Sequence, residues 1–154
     1  MRNIFCTKWI LGGGTMNQRI TIDHIGIAAP TLDEGSRFWK LIGLVADGED
    51  DRVEDQGVTT RFFPLNDVED SKTNIEILEP TGPSTPIGKF LNKKGPGIQQ
   101  LCLAVDDIEK MIDHLMSNDV QMIDTVPRKG AHDSIIAFVH PKSTGGILIE
   151  LKQR

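Results

Sequence analysis

The sequence predicts an α+β fold of two tandem β-α-β-β-β modules, whose curled mixed sheet encloses a metal-binding cavity. Three observations predict it. The order of strand-like and helix-like segments that begins at Ile20 begins again at Ile98. Neither half, with one helix over roughly sixty residues, can cover both faces of its own sheet, so the two must associate. Finally, polar residues interrupt apolar strands at matching places in both halves.

The elements follow in order. Ile20 to Ala29 alternates and is rich in β-branched residues, the pattern of a half-buried strand. Pro30 turns the chain into a helix of about Asp33 to Leu41 with an apolar stripe of Phe38, Trp39, Leu41 and Ile42, and Gly43 stops it. The acidic stretch Asp47 to Asp55 reads as a solvated connection. Strands over Val58 to Pro64 and Thr73 to Leu78 flank a loop at Asn66 and Asp67. The turn-rich stretch Glu79 to Pro86 leads into a short amphipathic helix bearing Ile87, Phe90 and Leu91, closed by Lys93-Lys94-Gly95-Pro96-Gly97. In the second half, Ile98 to Val105 is a strand. Asp106 caps a helix with Ile108, Met111, Ile112 and Leu115 at helical spacing. Strands at Val120 to Ile123, Ile135 to His140 and Ile147 to Lys152 complete the repeat.

One folded domain is therefore expected over residues 17–154, as halves 20–80 and 97–153. Residues 1–16 are expected to be a tail or upstream extension. Lys8 breaks their apolar part and no small-x-small site follows, unlike a signal peptide. Hydrophobic residues at 38% and charged residues at 25% exclude a wholly disordered chain. With Lys+Arg 17 against Asp+Glu 22, the net charge of -5 argues against nucleic-acid or anionic-membrane binding, which needs massed cations. No apolar run approaches the roughly 18 residues that span a bilayer. Two cysteines, Cys6 and Cys102, cannot make a disulfide framework, so a reduced, cytoplasmic protein is expected.

The repeat locates the chemistry. On the first strand His24 shares a face with Gly26 and Ala28; on its counterpart Gln100 shares a face with Cys102 and Ala104. Small residues beside one polar group leave room, as a cavity wall does. Glu76 and Glu150 each interrupt an aliphatic strand, and an unpaired buried carboxylate is costly. His24 and Gln100 are 76 residues apart, Glu76 and Glu150 are 74 apart, so a pseudo-twofold brings all four together. One imidazole nitrogen with amide and carboxylate oxygens suits a single divalent ion: zinc, cobalt, nickel, manganese or magnesium. Each residue alone also reads as a hydrogen-bonded or solvated strand residue; their symmetric placement favours the joint reading. His132 and His140 are candidates for orienting a ligand, and each also reads as a loop histidine. Lys142, with Lys89, Lys93, Lys94, Arg128 and Lys129, could hold an anionic substrate tail or only aid solubility. No phosphate-binding glycine loop, dinucleotide fingerprint or nucleophile elbow is present.

With these polar positions, the paired halves resemble the vicinal oxygen chelate superfamily, and within it the methylmalonyl-CoA epimerase family. The stretches that carry the likeness include Ile22-Asp-His-Ile-Gly-Ile-Ala28, Asp55-Gln-Gly-Val58, Ile75-Glu-Ile-Leu-Glu-Pro80, Gly130-Ala-His132 and His140-Pro-Lys-Ser-Thr-Gly-Gly-Ile-Leu-Ile-Glu-Leu151. The resemblance implies metal ligands at His24, Glu76 and Glu150 and at the position of Gln100. It implies an acyl-CoA or related thioester substrate, proton transfer through an enolate with Glu150 or Glu76 as base, and a homodimer. The chain departs from the family where Gly97-Ile-Gln-Gln100 replaces Gly-x-His-His, where Asp133 replaces a glycine, and where Thr59 and Thr60 replace a carboxylate some epimerases carry. Two rival functions share the scaffold. A glyoxalase I-like lyase would use the same metal on a thiol hemithioacetal. A metal-free binding protein would explain the missing histidine at position 100 but leave two converging carboxylates without use.

Overall fold

Strand β1 (Thr21–Ala28) buries His24, Gly26 and Ala28 on one face, while Ile25 and Ile27 pack on the other against the core beneath helix α1 (Leu32–Leu41). The Thr31 hydroxyl caps α1 by accepting from the Glu34 N–H at 3.1 Å, so the helix begins one residue before the expected Asp33. Gly43, at φ +98°, lies just past its end. The chain continues through β2 (Asp47–Val53), β3 (Val58–Pro64), β4 (Asn74–Pro80) and helix α2 (Pro86–Lys94). It then repeats with β5 (Gly97–Val105), α3 (Ile108–Ser117), β6 (Arg128–Lys129), β7 (Ile135–Val139) and β8 (Leu148–Gln153). This computed structural model describes residues 16–65 and 73–154; the expected tail up to Thr15 and the loop at Asn66 and Asp67 lie outside the described residues.

The strands form one eight-stranded mixed sheet in the order β2-β3-β4-β1-β5-β8-β7-β6. The order is a palindrome. Within each half the first strand runs parallel to the last, β1 with β4 and β5 with β8, and the halves join where β1 and β5 pair antiparallel. The register obeys the same symmetry: His24 lies opposite Cys102 and Gly26 opposite Gln100, while Gly26 is level with Glu76 and Cys102 with Glu150. A twofold through the β1–β5 junction thus exchanges the two halves of the site.

Helices cover the outer face, where α1 packs over Phe63, Ile75 and Ile77, and α3 over Val105, Ala137 and Leu151. Helix α2 instead seals one end of the inner face, setting Ile87 against Ala28, Val58 and Leu78. The edges meet across the cavity mouth: Asp51 of β2 accepts from the His132 backbone N–H at 2.6 Å, and Asp55 lies 3.7 Å from Arg128. Together these contacts draw the sheet into a trough.

Four expectations are corrected. Asp47 to Asp55, read as a solvated connection, is mostly strand: β2 is an exposed edge paired on one side to β3, so it has no buried face to impose alternation. Val120 to Ile123 forms no strand and makes only a single bridge, Met122 with Val139, while the outermost strand is the two-residue β6. Asp107, not Asp106, caps α3, accepting from Lys110 N–H at 3.0 Å; Asp106 instead accepts from the Arg19 backbone and the Arg154 guanidinium. Met16, assigned to the extension, packs against the core beneath α3.

Candidate metal centre

His24, Glu76, Gln100 and Glu150 are buried side chains of the inner face, each no more than 6% exposed. Strand alternation puts them there: β1, β4, β5 and β8 are adjacent, and these residues occupy the inward parity on each. His24 Nε2 lies 3.1 Å from Glu76 Oε2 and 3.8 Å from Glu150 Oε2. The Gln100 amide donates to Glu150 Oε2 at 2.6 Å and to Glu76 Oε2 at 3.4 Å. Gly26 makes room for this amide, because a Cβ there would stand 2.6 Å from Gln100 Cγ. The four groups form one cluster at the floor of a cavity of about 600 Å³.

The electrostatics of the cluster are set by its burial. Burial opposes charge on His24, but the Glu76 carboxylate and the hydrogen bond to Asp23 outweigh it and hold the ring well above the usual imidazole range. Burial also pushes Glu150 up to about 7, against the pull of His24 and with the repulsion of Glu76. Two acidic groups in so dry a place call for more positive charge than one imidazole provides. Moreover, His24 Nε2 is buried without an aligned hydrogen-bond partner: Glu76 approaches it but off the bonding direction. A divalent ion answers both needs, and this set of nitrogen and oxygen donors fits one.

Asp23, His24 and Cys102 also place ligand atoms within 4.8 Å of one another. Asp23, however, already holds Lys152 at 2.9 and 3.0 Å and lies 2.8 Å from His24 Nδ1. Burial pushes the Cys102 thiol up to about 12, and its sulfur lies 3.6 Å from Glu150 Oε1. These two therefore brace His24 and Glu150.

The remaining candidates divide. His132 lines the cavity, its backbone held at φ +52° and its ring 5.1 Å from Phe62, which in turn packs edge-on against His24 at 5.6 Å. His140 and Lys142 do not line it: the His140 ring accepts from the Lys142 N–H at 3.1 Å and caps a tight turn. Arg128 lines the wall but is engaged by Asp124 and Asp55. Lys89, Lys93 and Lys94 are exposed on α2.

Asp23, Gln99 and Lys152 are among the cavity residues that sequence reasoning did not single out. The β1–β5 register slips at Asp23 and again at Gln99, two bulges that turn outward-parity residues toward the cavity. The signal was there in the repeat: Asp23 and Gln99 are 76 residues apart, as His24 and Gln100 are. Thr60, 1% exposed, leaves its hydroxyl without a partner on the cavity wall.

Comparison with known proteins agrees with this architecture. Residues 23–138 match the family model of the Glyoxalase/Bleomycin resistance protein/Dioxygenase superfamily. The chain is 38% identical over 135 residues to the mitochondrial methylmalonyl-CoA epimerase of Dictyostelium discoideum, covering 86% of this chain and 78% of that protein. It is 33% identical to the ethylmalonyl-CoA/methylmalonyl-CoA epimerase of Cereibacter sphaeroides, covering 86% and 96%. A solved methylmalonyl-CoA epimerase in complex with methylmalonyl-CoA and NH4+ superposes with a TM-score of 0.81 at 32% identity, covering 86% of this chain and 93% of that one. On its paired modules and the extent of these matches, the chain belongs to the Glyoxalase/Bleomycin resistance protein/Dioxygenase superfamily.

Proposed function

We propose that this chain is a divalent-metal-dependent epimerase that moves the α-proton of methylmalonyl-CoA, or of a similar acyl-CoA, through an enolate. The observation that carries the reading is the convergence of His24, Glu76, Gln100 and Glu150 around a buried, unpartnered imidazole nitrogen. The relatives' names supply the substrate class.

His24 through Nε2, Glu76 and Glu150 would hold the ion, and Gln100 would join through its amide oxygen once the amide is turned over. The ion supplies positive charge for the oxygen that becomes negative as the α-proton leaves. Glu150 would be the base that takes the α-proton. Glu76 is its mate across the pseudo-twofold and serves as the second carboxylate, since inversion at carbon needs proton transfer at both faces. Phe62 and Ile87 keep bulk water from the reacting carbon, and Thr60 offers a hydroxyl to the ligand.

The test joins metal analysis to isotope exchange. Purified protein should hold close to one divalent ion per chain and exchange the α-proton of methylmalonyl-CoA for deuterium in deuterated water. Absence of bound metal after exposure to zinc, cobalt or manganese would contradict the ligand set. Bound metal with no exchange in any CoA ester would discard the epimerase and leave the lyase.

A further inference from the structure

We propose that Asp23 and Lys152 are positioning residues for His24: together they fix its ring so that Nε2, not Nδ1, presents a lone pair to the cavity. The inference extends the metal reading above, on which its affinity arm rests, but its geometric content concerns His24 alone.

A neutral imidazole carries its proton on either nitrogen, and only the bare one can bind a cation. Nδ1 of His24 lies 2.8 Å from Asp23 Oδ1. An ionised carboxylate only accepts, so Nδ1 must be the donor. The ammonium of Lys152, 2.9 Å from Asp23 Oδ1, pairs with the carboxylate in its acceptor form. Lys152 contacts both Asp23 oxygens, at 2.9 and 3.0 Å, which fixes the plane of the carboxylate as well as its charge. It also prevents Asp23 from turning to the ion itself, which the proximity of Asp23, His24 and Cys102 would otherwise permit.

The chain places this device deliberately. Asp23 belongs to the outward parity of β1 and reaches the cavity only because the strand bulges there. Lys152 comes from the other half, 129 residues away, on the inward parity of β8 two positions beyond Glu150. The pseudo-twofold does not repeat it. The mate of Asp23 is the uncharged Gln99, and that of Lys152 is the aliphatic Leu78. The asymmetry follows the ligands: His24 has two tautomers to choose between, whereas its mate Gln100 is an amide with no ring proton to place.

Nitrogen-15 NMR of His24 reads the ring directly, in the metal-free protein at a pH where the ring is uncharged and again with zinc added. Wild type should show Nδ1–H with bare Nε2 in the first state and zinc on Nε2 in the second. Asp23→Ala should populate the Nε2–H form, with its proton toward Glu76 or Glu150, and weaken zinc about 10–100-fold, the usual range for loss of an outer support. Asp23→Asn retains an acceptor and should keep the wild-type tautomer, which guards against mistaking misfolding for the effect. Lys152→Met should broaden the Nδ1–H signal and weaken zinc severalfold. Nε2–H in the wild-type ring, or an unchanged tautomer and zinc affinity in Asp23→Ala, would overturn the proposal. If wild type shows the Nδ1–H form but binds no zinc, the metal reading falls while the assignment to Asp23 and Lys152 stands.

Discussion

Replacing Glu150 by Gln should stabilise the metal-free protein and remove its response to metal. Glu150 is 6% exposed, and burial moves its carboxyl from an ordinary 4.5 up to about 7. A group that binds its proton more tightly when folded contributes stability below its unfolded value and loses it as pH rises through the folded one. The metal-free wild type should therefore lose on the order of 3 kcal/mol between about pH 4.5 and 7 from this group, at about 1.4 kcal/mol per tenfold change in proton affinity. His24, held above its usual range, adds to the loss at higher pH. Glu150→Gln keeps the shape without the charge, so at pH 8 its metal-free form should unfold at higher urea than wild type by up to that amount. Enough metal reverses the order: a ligand at about 1,000 times its Kd stabilises by about 4.1 kcal/mol, and wild type should gain this while the variant gains little. Urea melts at pH 5 and pH 8, with zinc and with chelator, measure all four states. A variant less stable than wild type in chelator at pH 8, or one stabilised equally by zinc, would refute the reasoning.

Other outcomes follow from the same geometry. Gln100→His should tighten zinc binding about tenfold in calorimetry, because imidazole is a better ligand than an amide oxygen for a borderline cation. Gly26→Ala forces the Gln100 side chain to move, its Cγ being 2.6 Å from the new Cβ. It should lower metal affinity in the same titration at a stability cost of about 1–3 kcal/mol. Ile77→Ala removes a fully buried side chain from the α1 face, opposite the cavity. It should cost about 2–5 kcal/mol in urea melts yet leave zinc affinity of the folded protein unchanged.

The convergence of His24, Glu76, Gln100 and Glu150 was legible because burial on both faces of the central strands leaves polar residues nowhere to hide. A histidine at the parity of Gly26 and Ala28, and a glutamate between aliphatic neighbours, mark the inner face without any knowledge of pairing. The internal repeat then supplied the third dimension, since a palindromic sheet brings equivalent positions to one axis. What the sequence concealed depends on partners. The bulges that aim Asp23 and Gln99 inward exist only in the register between β1 and β5. β2 is largely acidic because this edge strand buries only its last residue, Val53, and β6 is too short to show a period. His140 lies in a stretch that resembles the epimerase family, yet its Nδ1 is taken up by its own turn. Sequence likeness there marks a conformation as readily as a contact.

The central claim, one cation held between the two modules, is tested most directly by anomalous diffraction from crystals grown with zinc. One peak per chain should appear about 2.0–2.2 Å from His24 Nε2 and from an oxygen of both Glu76 and Glu150. A peak on Asp23 and Cys102 with the two glutamates turned away, or no peak in the cavity, would contradict it.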